Sequence, residues 1–384
     1  MEIVRINRKG VRRVRSGHPW VFKSDVVEAN ASGGAVVTVL DEFGNFVGKA
    51  FYSDSSEISV RVFSWEDRTV DRSFWHERIA EALTRRPRED ERTDSRRLVN
   101  GESDLIPSLV VDSYGDSLVI QTLSQGTERL KEEFVGILTE LINPRNIVER
   151  NDVKIRDREN LSQVKGLLMG DLAGPLITKR DGLLFEIDPI NGQKTGSFLD
   201  QRENHHRART HAGGKALDCF TFQGGFAMNM ALVSEHVEAV DISEDAVSTA
   251  RRNAELNNIS NIEFIAANVF DFLRERQERT YDTVVLDPPA FVKSKAALKS
   301  AVRGYKEINL RGLKLLKRGG VLMTYSCSHH LSEELFLELL RDAARDAKRR
   351  VQIVERQGQP SDHPILLGMS ESSYLKGLVL KTLD

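Results

Sequence analysis

Two short stretches of the chain carry side chains with chemistry to offer. Leu286-Asp287-Pro288-Pro289-Ala290-Phe291 sets a carboxylate ahead of two prolines and an aromatic ring. Thr324-Tyr325-Ser326-Cys327-Ser328-His329-His330 carries a thiol. Two prolines stiffen the backbone and remove two N–H groups. Asp287 is therefore held on a rigid loop beside open carbonyls, and Phe291 is placed to stack on a base that has left its helix. A cysteine becomes a strong nucleophile once its pKa is lowered. Cys327 would suit methylation of a pyrimidine carbon, because C5 is a poor nucleophile until a thiol adds at C6. The plainer reading is a small buried residue, the usual state of such a cysteine. Cys219 lies among apolar residues and reads as structural. His329 and His330 lack companion ligands at metal-site spacing, so they read as substrate contacts or helix-start residues, and no metal is expected.

A second set of candidates falls at successive strand ends. The first is Ala216-Leu217-Asp218-Cys219-Phe220-Thr221-Phe222-Gln223-Gly224-Gly225-Phe226, a strand, a tight turn and a helix start. It has no GxGxxG, and Phe222 stands where a dinucleotide site wants glycine, which argues against NAD. The second is Asp241, about 20 residues on, where an acid grips a ribose hydroxyl pair. Asp241 also suits a helix N-cap, and Asp241 and Ser243 could divide the two roles. The third is Asn268, placed for an adenine edge or simply a turn.

These residues need a scaffold that brings strand ends together. From about Gly214 the pattern alternates strand and helix: strands at 216–220, 237–241, 262–266, 283–287 and 321–326, helices at 224–233, 244–257, 299–316 and 332–347. Segments 351–355 and 374–380 close the sheet. Such crossovers imply a doubly wound, mostly parallel α/β sheet with ligands at the carboxyl ends of its strands. Ahead of it, residues 1–70 read as a small β domain of short strands, and residues 71–185 as an α+β domain with a helix at 72–85 and another at 128–142. The mixed-charge run from Arg85 to Arg97 reads as a solvated helix end or linker. The third domain spans 186–384.

Bulk properties set limits. The chain has 384 residues, 40% of them hydrophobic, so two or three folded domains are expected. With two cysteines, a disulfide framework and a Cys-rich zinc site are excluded. No apolar leader and no stretch of about 18 unbroken apolar residues are present, so a cytoplasmic location away from membranes is expected. The net charge is −2, so any nucleic acid must be held by a local patch. Arg5, Arg8, Lys9, Arg12, Arg13, Arg15 and Lys23 form one, opposed by Glu2 and Asp25 alone.

At these residues the chain resembles the PUA-domain-containing bacterial 23S rRNA cytosine-C5 methyltransferases and their archaeal relatives. The resemblance covers nearly the whole chain. It is carried by Asn191 to Arg202, DCFTFQGGFAM, LDPPAF, RGYKEIN, YSCSHH, and the late DHP and YLKG. It implies an N-terminal PUA-like RNA-binding β domain, a central α+β domain and a C-terminal Rossmann-like class I methyltransferase sheet that uses S-adenosyl-L-methionine. Asp218, Gly224, Asp241, Asn268 and Asp287 match cofactor or active-site positions. The expected cofactor set extends to Lys194, Thr195 and Phe198 in the lead-in, and to Phe220, Ile242 and Val269. Cys327 matches the nucleophile, with Asp287 on cytosine N3. RNA contacts are expected from Pro288, Pro289, Phe291, Tyr305, Arg12 and Arg13. Three positions depart from the family pattern: Asn268 replaces an acid, Ser197 an aromatic and Ala290 a lysine.

Two other readings stay open at this level. The Asp-Pro-Pro-aromatic loop would equally hold an exocyclic amine of guanine or adenine for N-methylation, with no thiol. A non-catalytic RNA-binding protein of the same fold is the third. The sequence leaves monomer and homodimer both open.

Overall fold

The computed structural model describes residues 2–87, 91–192, 195–291 and 298–384. They fall into two compact units. The first comprises Met1–Gly182, Ile187–Leu199 and Ser361–Ser372; the second comprises Leu183–Glu186, Asp200–Pro360 and Ser373–Asp384.

The first unit begins with β1 (Ile3–Ile6), α1 (Arg8–Arg15), β2 (Trp20–Phe22), β3 (Val26–Asn30), β4 (Val36–Asp41), β5 (Phe46–Tyr52) and β6 (Ile58–Ser64). Six strands form one sheet in the order β2-β6-β5-β4-β1-β3. Their inward residues, among them Val4, Ile6, Val37, Val39, Val60 and Val62, make its core. The sequence pattern gives this segment strands only, and α1 corrects it. Val11 and Val14 are the apolar residues that α1 buries, together with Gly10, which is too short a stripe for a helical period to show. Its signal is the cap: the Asn7 side chain accepts from the Gly10 N–H at 2.9 Å.

There follow α2 (Arg72–Thr84), β7 (Ser95–Asn100), β8 (Leu109–Tyr114), β9 (Ser117–Thr122), α3 (Gln125–Arg129), α4 (Lys131–Ile142), β10 (Asn146–Asn151), β11 (Val164–Met169) and β12 (Leu176–Arg180). A five-stranded sheet runs β11-β10-β9-β8-β7. Phe51 stacks on Trp75 at 5.3 Å, and Trp75 meets Phe134 edge-on at 5.5 Å, so one aromatic core spans both sheets. The single helix expected at 128–142 is two, broken at Leu130, with Ser124 and Thr127 forming a capping box ahead of the first. The charge run is also not all solvated. Arg86 is buried against Asp104, and Arg97 pairs with Asp112 at 2.8 Å from β7. Arginines serving buried acids resemble a solvated run in sequence, because their partners lie elsewhere in the chain. Arg88, Glu89 and Asp90 of that run lie outside the described residues.

The chain enters the second unit through β13 (Leu183–Ile187). Then come α5 (Arg202–His211), β14 (Lys215–Cys219), α6 (Gly225–Ala231), β15 (His236–Asp241), α7 (Glu244–Leu256), β16 (Ile262–Ala266), α8 (Val269–Glu275), β17 (Tyr281–Leu286), α9 (Leu298–Leu315), β18 (Leu316–Ser326), α10 (Glu333–Asp346), β19 (Val351–Gln357) and β20 (Lys376–Thr382). Among the described residues its sheet has seven strands, ordered β16-β15-β14-β17-β18-β20-β19. The first five are parallel; β20 is antiparallel and inserts between β18 and β19. The order reverses between β14 and β17, which is the switch point where such sheets bind ligands. Buried Leu217, Val284, Leu286, Leu322, Ile308 and Phe336 fill one face, and Ala216, Phe226, Val237, Val285 and Met323 the other. Among the described residues no helix is long and apolar enough to cross a membrane.

Candidate active site

Each expected strand-end residue sits at the carboxyl edge of the second unit's sheet. Asp218 is the penultimate residue of β14 and is fully buried. One carboxylate oxygen accepts from the Thr221 hydroxyl at 2.6 Å and from the Ala227 N–H at 2.9 Å. The other, Oδ1, is buried and has no partner among the described residues. Burial, and after it the charges of Asp287 and Asp241, push the Asp218 carboxyl up to about 7, against the pull of its two donors.

The turn after β14 is shaped for close approach. Phe220 and Phe222 both have positive φ, 66° and 49°, a region that bulky residues rarely occupy. Gly224 has φ 84°, which a side chain would strain, and a Cβ on Gly225 would collide with the His205 ring. Asp241 holds this turn. Its Oδ2 accepts from the Phe222 N–H and its Oδ1 from the Ser243 N–H, both at 3.0 Å. The cap of α7 belongs to Ser243, which accepts from the Ala246 N–H. The N-cap thus falls to Ser243, and each Asp241 oxygen keeps acceptor capacity. Ile242, beside it, is 71% exposed, an apolar surface at the sheet edge. Asn268 caps α8 through its oxygen, accepting from the Phe270 N–H at 2.9 Å, which leaves its amide N–H groups to donate. Val269 is buried in the first turn of α8.

The lead-in is placed differently. Thr195 is buried in the first unit, where its hydroxyl donates to Asp112 at 2.7 Å and lies 3.2 Å from the Tyr114 hydroxyl. Ser197 accepts from Arg180 at 2.7 Å in the same unit. Phe198 belongs to that unit too, and Lys194 lies outside the described residues. Thr195 and Phe198 thus stand on the first unit, whereas Asp218 and Asp241 stand on the second.

Asp287 directly follows β17, and Leu286 pairs with Thr324 of β18, so Asp287 and Cys327 leave adjacent parallel strands at one edge. Gln201 donates its amide to Asp287 at 2.9 Å, and Asn204 in turn donates to the Gln201 oxygen at 2.6 Å. Gln201 lies within the lead-in motif, but its sequence context assigns it no role. Pro288 is buried and Pro289 exposed. Phe291 packs against Tyr305 at 4.7 Å, with Phe270 and Phe220 at 5.9 and 6.4 Å, so its ring belongs to an aromatic cluster. Residues 292–297 lie outside the described residues.

Cys327 is half-exposed, whereas Cys219 is buried and its thiol is held well above its usual range by that burial. Tyr305 is placed differently from the exposed substrate contact expected of it: it is fully buried. Its hydroxyl accepts from Ser326 at 3.0 Å and lies 3.0 Å from the Ser328 hydroxyl, bracketing Cys327 from both sides. His329 and His330 are exposed, and the helix start falls to Ser332, which accepts from the Leu335 N–H. In the first unit Arg12 is exposed. Arg13 is half-buried, tied to buried Asp25 at 2.6 Å and lying over Phe22 at 4.6 Å.

A carboxylate with an orphaned oxygen, beside two further carboxylates, is a site that lacks positive charge and a donor. S-adenosyl-L-methionine carries a sulfonium and an ammonium, and its ribose hydroxyls suit the open acceptors of Asp241. The residues fit that cofactor. Comparison with known proteins agrees. Residues 4–65 match a PUA-like domain model, and residues 210–365 a methyltransferase domain model. A Streptococcus mutans protein described as a SAM-dependent methyltransferase superposes with TM-score 0.85 at 20% identity, over 99% of this chain and all of that one.

The second unit is thus a class I S-adenosylmethionine-dependent methyltransferase domain, preceded by a PUA-like β domain. The chain is 40% identical to ribosomal RNA large subunit methyltransferase I of Shewanella amazonensis, over 95% of both chains. It is 38% identical to the protein of that name from Pseudoalteromonas translucida, over 96% of both. The chain belongs to the ribosomal RNA large subunit methyltransferase I family.

Proposed function

We propose that this chain methylates C5 of a cytosine in 23S ribosomal RNA, in the cytoplasm, with Cys327 as nucleophile. The substrate class follows the relatives' name, and the PUA-like domain supplies a second RNA-binding element. The observation that carries the C5 reading is the shared edge of Asp287 and the half-exposed Cys327 on adjacent strands. Asp218 and Asp241 hold the cofactor, with Ile242 and Asn268 at its adenine end. S-adenosylmethionine, when bound, supplies the methyl group. The Cys327 thiolate forms a bond to C6 and leaves C5 electron-rich. Asp287, oriented by Gln201, holds the N3 edge of the ring. After C5 has been methylated and loses its proton, the Sγ–C6 bond breaks and the thiolate returns.

The test is nucleoside mass analysis of ribosomal RNA treated with the wild-type chain and with Cys327→Ser. The expected product is 5-methylcytosine, falling at least about 10²-fold in the variant, the scale of removing a reacting group. An N-methylpurine as product, or undiminished 5-methylcytosine from Cys327→Ser, overturns the reading.

A further inference from the structure

The thiol needs something that favours its ionised form, and the strand that follows it in space provides a cation. β20 runs antiparallel to β18, with Lys376 directly opposite Ser326, the residue before Cys327. The Lys376 side chain is half-buried. Its ammonium donates to the Ser328 carbonyl at 3.2 Å and to the Tyr374 carbonyl at 2.8 Å. It is therefore anchored on the residue after Cys327 and registered against the residue before it. Both of these acceptors are neutral, and no ion pair ties Lys376 among the described residues.

We propose that Lys376 is a positioning residue for Cys327: its fixed ammonium stabilises the thiolate and so sets the fraction of protein able to add to C6. The inference rests on the C5 reading for its purpose, although the coupling of thiol and amine stands by itself.

The surrounding groups are consistent with it. Burial pushes the Lys376 amine down from its ordinary range, while the Cys327 thiolate, and after it Glu333, pull it back up. Pairwise coupling is mutual, so whatever the thiolate does for the ammonium the ammonium does for the thiolate. Glu333, from α10, is paired with Arg356. Tyr305, from α9, has its hydroxyl held by Ser326 and Ser328, and burial raises it above its usual range, so it remains neutral beside the thiol. His329 and His330 continue the loop of Cys327 and are exposed to solvent. Asp287 follows β17, the strand beside β18, and a carboxylate near a thiol disfavours the thiolate, as a cation favours it. An anchored ammonium is the form of lysine that acts as a local charge, since a freely moving one is screened by water.

The experiment is iodoacetamide alkylation of the full-length chain across pH 5–10, with modification at Cys327 read by peptide mass. Buried Cys219 serves as the unreactive internal reference. Lys376→Gln should move the alkylation profile to higher pH, giving about 10-fold slower reaction on its acid limb, equivalent to about one unit. Lys376→Arg should restore most of it. A Lys376→Gln profile that superimposes on wild type overturns the proposal. If Lys376→Gln does not fold, the reciprocal measurement decides. Acetylation of Lys376 at pH 8–9 should be faster in Cys327→Ser than in wild type, because the thiolate no longer holds the amine protonated. Equal rates overturn the coupling. These readouts use neither RNA nor cofactor, so they separate failure of this inference from failure of the C5 reading, which the product analysis alone decides.

Discussion

Asp218 shows how burial and neighbouring charge tune a single carboxyl for a cationic ligand. Its pKa is pushed up to about 7 by burial and by the charges of Asp287 and Asp241. In the unfolded chain the same group titrates near 3.9, about the ordinary aspartate value. Between those values the folded state keeps a proton that the unfolded state has lost. The stability of the ligand-free protein therefore falls as pH rises through that window, and the penalty is complete above it. A positively charged cofactor acts in the opposite direction, because it favours the ionised carboxylate. Its affinity should rise from pH 5.5 to 8, and its binding near pH 7 should expel a proton. Calorimetry in two buffers of different ionisation enthalpy measures that proton, and identical heats in both would show that Asp218 does not feel the ligand. Asp218→Asn should be more stable than wild type without ligand at pH 8, by about 1 kcal/mol, and should lose most of its cofactor affinity.

At the scale of elements, Asn253 of α7 and Asn257 at its C-cap tie the helix to the turn after β14 and to β13. Asn253 donates to the Gln223 carbonyl at 3.0 Å and accepts from the Glu186 N–H at 2.8 Å. Asn257 accepts from the Leu184 N–H and donates to the Leu184 carbonyl. Asn253→Ala strands partners on both sides and should cost about 2 kcal/mol in chemical denaturation, with a weaker cofactor as the Gln223 turn loosens. Unchanged stability would mean that water replaces the amide. What the sequence revealed and concealed follows from the range of each interaction. Asp218, Asp241, Asn268 and Asp287 were readable because each lies within two residues of its strand's end, and strand–helix alternation marks those ends. Helix α1 was not, since two valines define no period. Tyr305 looked like a substrate residue because its burial depends on Phe291, Ser326 and Ser328, all distant in sequence. Lys376 was visible only as part of a motif. Its meaning depends on β20 inserting antiparallel beside β18, a placement that local patterning does not encode. Gln201 likewise acquires its role from Asp287, which lies 86 residues away.

For the whole molecule, the question is how a chain with net charge −2 holds a polyanion. Under the proposed function, α1 of the first unit would supply the contact. Arg8, Arg12 and Arg15 recur at i, i+4 and i+7, so they share one helix face, and all three are exposed together with Lys9. Arg13 points elsewhere and neutralises buried Asp25, with Lys9 at 3.6 Å from the same carboxylate. The two classes of arginine should therefore separate by experiment. Reversing Arg12 and Arg15 to Glu should weaken binding of a ribosomal RNA fragment. It should also flatten the dependence of log K on log salt, by about 0.7–0.9 for each phosphate that is no longer neutralised. Cofactor affinity should stay at the wild-type value, and stability within about 0.5 kcal/mol, because both side chains are solvated. Arg13→Ala should do the reverse. It leaves buried Asp25 with only the exposed Lys9 ammonium at 3.6 Å, so it should cost about 2 kcal/mol of stability, while the salt slope changes little. Filter binding over 50–300 mM salt, alongside denaturation of each variant, checks both halves. A salt slope unchanged by the double reversal would move the RNA-binding surface away from α1 and leave the helix with a packing role alone.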